Sequence, residues 1–321
     1  MSEPTYRDAL MRSWQLVSRH KLLWVWGLLA VLLGQFGLNN FVGNFVALSH
    51  PGRLQRFLAA WDVTVPPQFW GAAATPWLLW LLVVVGSVAA LTLLLSVGSE
   101  GALIAAAGDW FKRREQPDLT ASWGQGVRHF WRLLALILGT RLLLAVLLLI
   151  GVFFLAGDLS SRSGGALLGS GLALTIIFLL ALAISAGSAY AAGFIVLDGL
   201  PLGRAVGAGA RLFGRHLLVS FELSVVLLLL NFVVLGGLAI FALLTLIPAF
   251  LLFLAGGSLA ATMLWLLGFL LAGVIFILGA ALGGGIFNAF TTTAWIYLFS
   301  RMKSERLVSR LWHWVERWVK R

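Results

Sequence analysis

The 321-residue chain contains no cysteine, which excludes disulfides, thiol catalysis and thiolate metal sites together. It is also poor in charge. Only 11% of residues are charged, against about a quarter in an ordinary soluble domain. There is no Walker loop, no H-E-x-x-H, no G-x-S-x-G and no His–carboxylate pair at metal spacing, so no catalytic or cofactor constellation is legible. Asp109 and Asp118 fall in a basic loop, where solvation is the default reading. A non-enzymatic protein without metal or cofactor is the expectation.

What is abundant is apolar surface: 60% of residues are hydrophobic, and the mean hydropathy is +0.97. The apolar runs are continuous and Leu-rich rather than alternating, so they read as helices and not as barrel strands. About 20 helical residues cross the hydrocarbon, and six runs qualify, at 22–48, 76–107, 131–156, 165–197, 217–246 and 259–299. The fold class expected is therefore an all-α, polytopic helical bundle. It forms a single domain, with an amphipathic lead (1–21), six spans (22–299) and a basic amphipathic tail (300–321). The lead lacks a prompt small-residue cleavage site, so the first run reads as an uncleaved span. Pro248 and a glycine pair mark 247–257 as a turn or a shallow re-entrant piece. The run Gly283–Gly285 with Asn288 marks a possible break in the last helix.

The net charge of +11 supplies an orientation. With both termini on one side, that side collects 19 of the 23 basic residues, while Arg53, Arg56 and Arg162 fall opposite and Arg141 falls inside a span. Such a skew assigns the basic side to the cytoplasm. It points to a bacterial inner membrane, with anionic headgroups rather than nucleic acid as the partner. A protein partner or a homo-oligomer stays open.

Three basic junctions stand out as an internal repeat. Trp14 precedes Arg19 and His20, Trp123 precedes Arg128 and His129, and Ala210 precedes Arg215 and His216, each at the same offset and each before an odd-numbered span. In the first copy Tyr6, Leu10, Trp14 and Val17 recur at helical spacing, opposite Arg12 and Arg19. That pattern predicts an amphipathic helix in the headgroup plane. The tail repeats the theme with Leu307, Trp314 and Trp318 among basic residues. Pro66, Pro67, Phe69 and Trp70 suggest a short interfacial helix on the outer side.

Inside the spans lie Glu100, Arg141 and Glu222. All three sit at comparable depths of roughly 9–13 Å, counted at ~1.5 Å per residue. Intramembrane charges pair or face a cavity, so an Arg141 bridge to Glu100 or Glu222 is expected, either as a staple or as part of a polar pathway. Small residues recur every four positions at Gly279 and Gly283, at Ser185, Ala189 and Gly193, and at Gly98 and Ala102. These spacings mark close helix packing.

The run from Asp198 to His216, and more closely Ala9, Leu10, Ser13, Trp14 and Leu16 of the lead, match an acidic-x(n)-Ala-Leu-x-x-Ser-Trp-x-Leu junction. The third copy departs from it, with Gly209 and Ala210 in place of Ser-Trp. In this the chain resembles uncharacterised bacterial six-span membrane proteins related to the membrane domain of glycerophosphoryl diester phosphodiesterases. The resemblance implies a membrane module whose hydrolytic partner domain is not within this sequence. Asp198, three residues before Pro201, reads as a cap for the next helix. The leading functional expectation is a non-catalytic scaffold or lipid-interacting module with a basic cytoplasmic face. The alternative is a transporter or channel for a small solute or lipid that uses the intramembrane charges.

Overall fold

The computed structural model describes residues 6–31, 75–113, 118–161, 164–258 and 262–304, and among the described residues every regular element is an α-helix. In chain order they are α1 (Tyr6–Arg19), α2 (Leu22–Val31), α3 (Thr75–Arg113), α4 (Leu119–Arg128), α5 (Phe130–Ser161), α6 (Gly164–Asp198), α7 (Leu202–Arg215), α8 (Leu217–Ser258) and α9 (Thr262–Ser304). Five of them, α3, α5, α6, α8 and α9, are long and apolar enough to cross a membrane. The chain is a multi-pass helical membrane protein. Of the first expected span only the shorter apolar helix α2 is described. The rest of that span, the outer aromatic loop and the C-terminal tail lie outside the described residues.

Helices dominate because hydrocarbon offers no partner for a free backbone N–H or C=O, so each segment satisfies its own. This overrides two local signals. The 247–257 segment is neither a turn nor re-entrant, since α8 runs through Pro248 to Ser258. Proline forfeits one backbone donor, whereas opening the helix in lipid would strand several groups at a cost of several kcal/mol each. Likewise Gly283–Gly285 does not break α9, which is continuous to Ser304. There the glycines serve packing: a Cβ on Gly285 would run into the Leu28 backbone at 2.8 Å, and one on Gly27 would strike the Gly285 carbonyl.

The long helices pair in chain order, α5 with α6 and α8 with α9, and the shorter α2 packs against both α3 and α9. Each short helix lies along the end of a long one: α4 on α3, α7 on α6, and α1 on α9. The last helix therefore closes against the first. Two of these contacts are built on glycine. A Cβ on Gly126 of α4 would strike the Gly98 carbonyl and stand 2.8 Å from the Ala102 nitrogen. A Cβ on Gly209 of α7 would stand 2.7 Å from the Gly187 carbonyl and 2.9 Å from the Ala191 nitrogen. Close backbone approach of this kind is what small residues provide where there is no hydrophobic drive between helices. The spacing at Gly279 is likewise used inside the chain, against Phe241 of α8.

The core gathers around these contacts, with Leu16, Leu23, Leu133, Tyr190, Ile195, Leu223, Ile296 and Phe299 fully buried. Away from it the spans turn Leu142, Phe153, Val233 and Leu270 outward, as a lipid-facing surface requires. The buried face of α1 is rotated from the expected one. It consists of Ala9, Ser13, Leu16 and Val17, while Trp14 is 55% exposed. Burial follows the small residues that let α1 approach α9. The indole instead lies at the edge, with its ring edge-on to Phe290 at 6.2 Å.

Candidate functional site

All three short helices finish alike. The histidine is the first residue off the helix, and its backbone N–H still returns to the last turn: His20 to Leu16, His129 to Gln125, and His216 to Leu212, at 3.1, 3.3 and 3.2 Å. Arg19, Arg128 and Arg215 close the preceding helices as cations at C-termini, where the helix dipole favours positive charge. The chain then restarts as α2, α5 or α8. The His20 ring meets Trp110 of α3 edge-on at 5.6 Å. Nδ1 of the His129 ring lies 3.0 Å from the Gln125 carbonyl oxygen. Trp123 lies over Gly98 of α3.

Two acidic residues take roles that sequence reasoning assigned differently. Asp198 does not cap α7: the N-cap is Pro201, with no side-chain cap bond. Both Asp198 carboxylate oxygens instead accept from Lys303 Nζ at 2.7 Å, tying the end of α6 to the end of α9. Gly199 follows at φ +66°, a conformation glycine adopts without strain, and its carbonyl accepts from Arg132 Nη1 at 3.0 Å. Asp118 is a true N-cap rather than a merely solvated loop residue. Its Oδ1 accepts from the Thr120 hydroxyl at 2.7 Å and from the Thr120 and Ala121 amides at 3.0 and 3.3 Å. Those bonds, the Thr120 hydroxyl first, hold its carboxyl below the usual aspartate value. The signal was an aspartate immediately before a helical run.

Cavities open among the described residues of these elements, three of which bear on function. One, of about 670 Å³, lies between α1, α3 and α9 and is lined by Arg12, Lys112, Arg301 and Lys303 around Trp110 and Tyr297. The Arg12 and Arg301 guanidinium carbons stand 5.8 and 5.7 Å from the Tyr297 ring centroid, within the range of cation–π attraction. Among the described residues no carboxylate lines it. A second, of about 430 Å³, is lined by Arg128, His129, Arg132, Asp198 and Gly199. The third, of about 470 Å³, is an apolar groove between α5, α6 and α7.

Deeper in the bundle Glu100 is 6% exposed. Its Oε1 accepts from the Thr292 hydroxyl of α9 at 3.3 Å, and Asn288 is a second donor. Asn288 Nδ2 also reaches the Gly27 carbonyl at 3.3 Å, and the Ser96 hydroxyl reaches the Ala30 carbonyl at 3.1 Å. Glu100 thus belongs to a polar cluster joining α2, α3 and α9. Arg141 and Glu222 are partly buried on α5 and α8. None of the three cavities is lined by Glu100, Arg141 or Glu222. Sequence reasoning missed Tyr190, whose buried hydroxyl lies 2.8 Å from Ser220 Oγ, which in turn donates to the His216 carbonyl at 3.0 Å. A lone tyrosine in an apolar run carries no periodic signal. No family model matches the chain, and no curated protein or solved structure does either.

Proposed function

We propose that the protein is a non-catalytic, lipid-interacting module of a bacterial inner membrane. Its three junctions are copies of one hairpin unit, turned to the cytoplasm, and the chain is related to the membrane domain of glycerophosphoryl diester phosphodiesterases. The observation that carries this reading is the cavity of Arg12, Lys112 and Arg301, with aromatic walls and no carboxylate among its described lining residues, while Lys303 at its edge is paired with Asp198. Guanidinium and ammonium groups beside Trp and Tyr suit the phosphate level of a bilayer. The skew of charge to the same end supplies the orientation. The alternative, transport along the intramembrane charges, draws on Glu100, but its hydrogen bonds to α9 serve packing and no described cavity leads to it.

The test is the lipid that accompanies the full chain when it is excised from a mixed bilayer in polymer discs. The wild type is expected to enrich anionic over zwitterionic lipid. At about 1 kcal/mol per basic residue near the surface, the Arg12→Gln, Lys112→Gln double variant should lose most of that enrichment, and salt should weaken it further. Equal lipid ratios in wild type and variant would reject the reading.

A further inference from the structure

Where α7 lies on α6, the place that an indole takes between α4 and α3 is held by a smaller side chain, and a cavity stands there. The Trp123 ring covers Gly98, with Cη2 3.2 Å from where a Cβ on that glycine would be. On α6 a Cβ on Gly187 would meet nothing within 4 Å. The backbones nonetheless approach alike, Gly126 against Gly98 and Ala102, and Gly209 against Gly187 and Ala191. Matching these contacts sets Gly126 against Gly209 and therefore Trp123 against Val206, so α6–α7 is built like α3–α4 with a valine in place of the indole. The space left is the 470 Å³ groove, walled by Leu136, Leu143, Leu180, Ile184, Val206 and Phe213.

The groove opens on the lipid-facing surface, since Leu143, Leu180 and Val206 of its walls are exposed, and apolar surface at that depth is covered by acyl chains. The groove sits beside the basic cavity of Arg128, His129 and Arg132. On α5, Arg132 is one turn from Ala135 and Leu136, and Gly199 is three residues from Leu202 of α7. In the basic cavity the Asp198 carboxylate is already taken by Lys303, and Arg132 is held in place by the Gly199 carbonyl. The remaining charge there is positive. A slot opened where a valine stands in place of an indole suits an alkyl chain. A second helix, about 10 Å across with its side chains, would not fit it.

We propose that the groove and this cavity together take one anionic phospholipid, with an acyl chain against Ala210 and Gly187 and the phosphate at Arg128 and Arg132. The proposal rests on the reading of the basic end as the headgroup side and adds a single-molecule site to it. It is tested with the full-length protein in nanodiscs of equal parts phosphatidylglycerol and phosphatidylcholine, extracted into mild detergent, with retained lipids counted by native mass spectrometry. The wild type should hold one phosphatidylglycerol. Ala210→Trp and Gly187→Leu, which fill the groove from opposite walls, should lose it while unfolding at or above the wild-type temperature. The Arg128→Gln, Arg132→Gln variant should bind it about thirtyfold more weakly. If Ala210→Trp does not fold, Gly187→Leu carries the comparison.

Retention at the wild-type level in the filled variants overturns the groove. A retained lipid that is phosphatidylcholine as often as phosphatidylglycerol overturns its link to Arg128 and Arg132. If only the groove variants behave like wild type while Arg12→Gln, Lys112→Gln loses anionic enrichment, the single-lipid site fails and the broader function stands. If the wild type shows no anionic preference at all, both fail.

Discussion

At the scale of single residues, the polar groups that matter are those bridging elements. Asp198 links α6 to α9 through Lys303, and Asn288 links α9 to α2 through the Gly27 carbonyl. Asp118 acts within its own helix, and its effect is testable by pH. Because its folded carboxyl lies below the ordinary 3.8, its cap is fully present above that value and is lost as pH falls through the lowered one. Protection of the Thr120 and Ala121 amides from hydrogen exchange should therefore drop on acidification in the wild type. It should stay flat in Asp118→Asn, which keeps a capping acceptor without a titrating one. Identical pH profiles would show that the cap contributes nothing. Read from sequence, the cap goes to Asp198 and solvation to Asp118, the reverse of what the fold assigns. Asp118 starts a helix after a loop. Asp198 ends one, and its partner is 105 residues away.

At the scale of elements, the long spans were legible because a continuous apolar run has one stable solution in hydrocarbon. The same physics explains the misreadings: Pro248 and Gly283–Gly285 are breakers in water, but in lipid the helix persists around them. The short helices were legible as amphipathic, yet the buried face of α1 was displaced because Trp14 outweighs Ala9 and Ser13 in hydrophobicity. Close approach selects the small residues instead. That principle predicts a contrast on α4. Gly126→Leu drives a side chain into the α3 backbone and should cost about 1–3 kcal/mol. Gly124→Leu, two residues away and with nothing within 4 Å of its added Cβ, should be neutral or gain up to about 1 kcal/mol in helix propensity. Unfolding in mixed micelles separates them, and equal effects would remove the close-packing account. The groove beside Ala210 was invisible in sequence, since a valine in place of an indole becomes a cavity only when α5, α6 and α7 are assembled.

At the scale of the whole molecule, each short helix packs on a long one, α4 on α3, α7 on α6 and α1 on α9, and the proposed lipid recognition depends on the three basic junctions sharing one side of the membrane. Because the chain has no cysteine, single substitutions report position without background. Gln15, Gly124 and Gly214 are exposed positions on α1, α4 and α7, and Gln15→Cys, Gly124→Cys and Gly214→Cys would each be labelled by a membrane-impermeant maleimide in sealed vesicles of both orientations. All three should react in inside-out vesicles and stay unlabelled in right-side-out vesicles until these are permeabilised. Labelling of any one of the three from the opposite side would contradict the single basic end, and with it the proposed function.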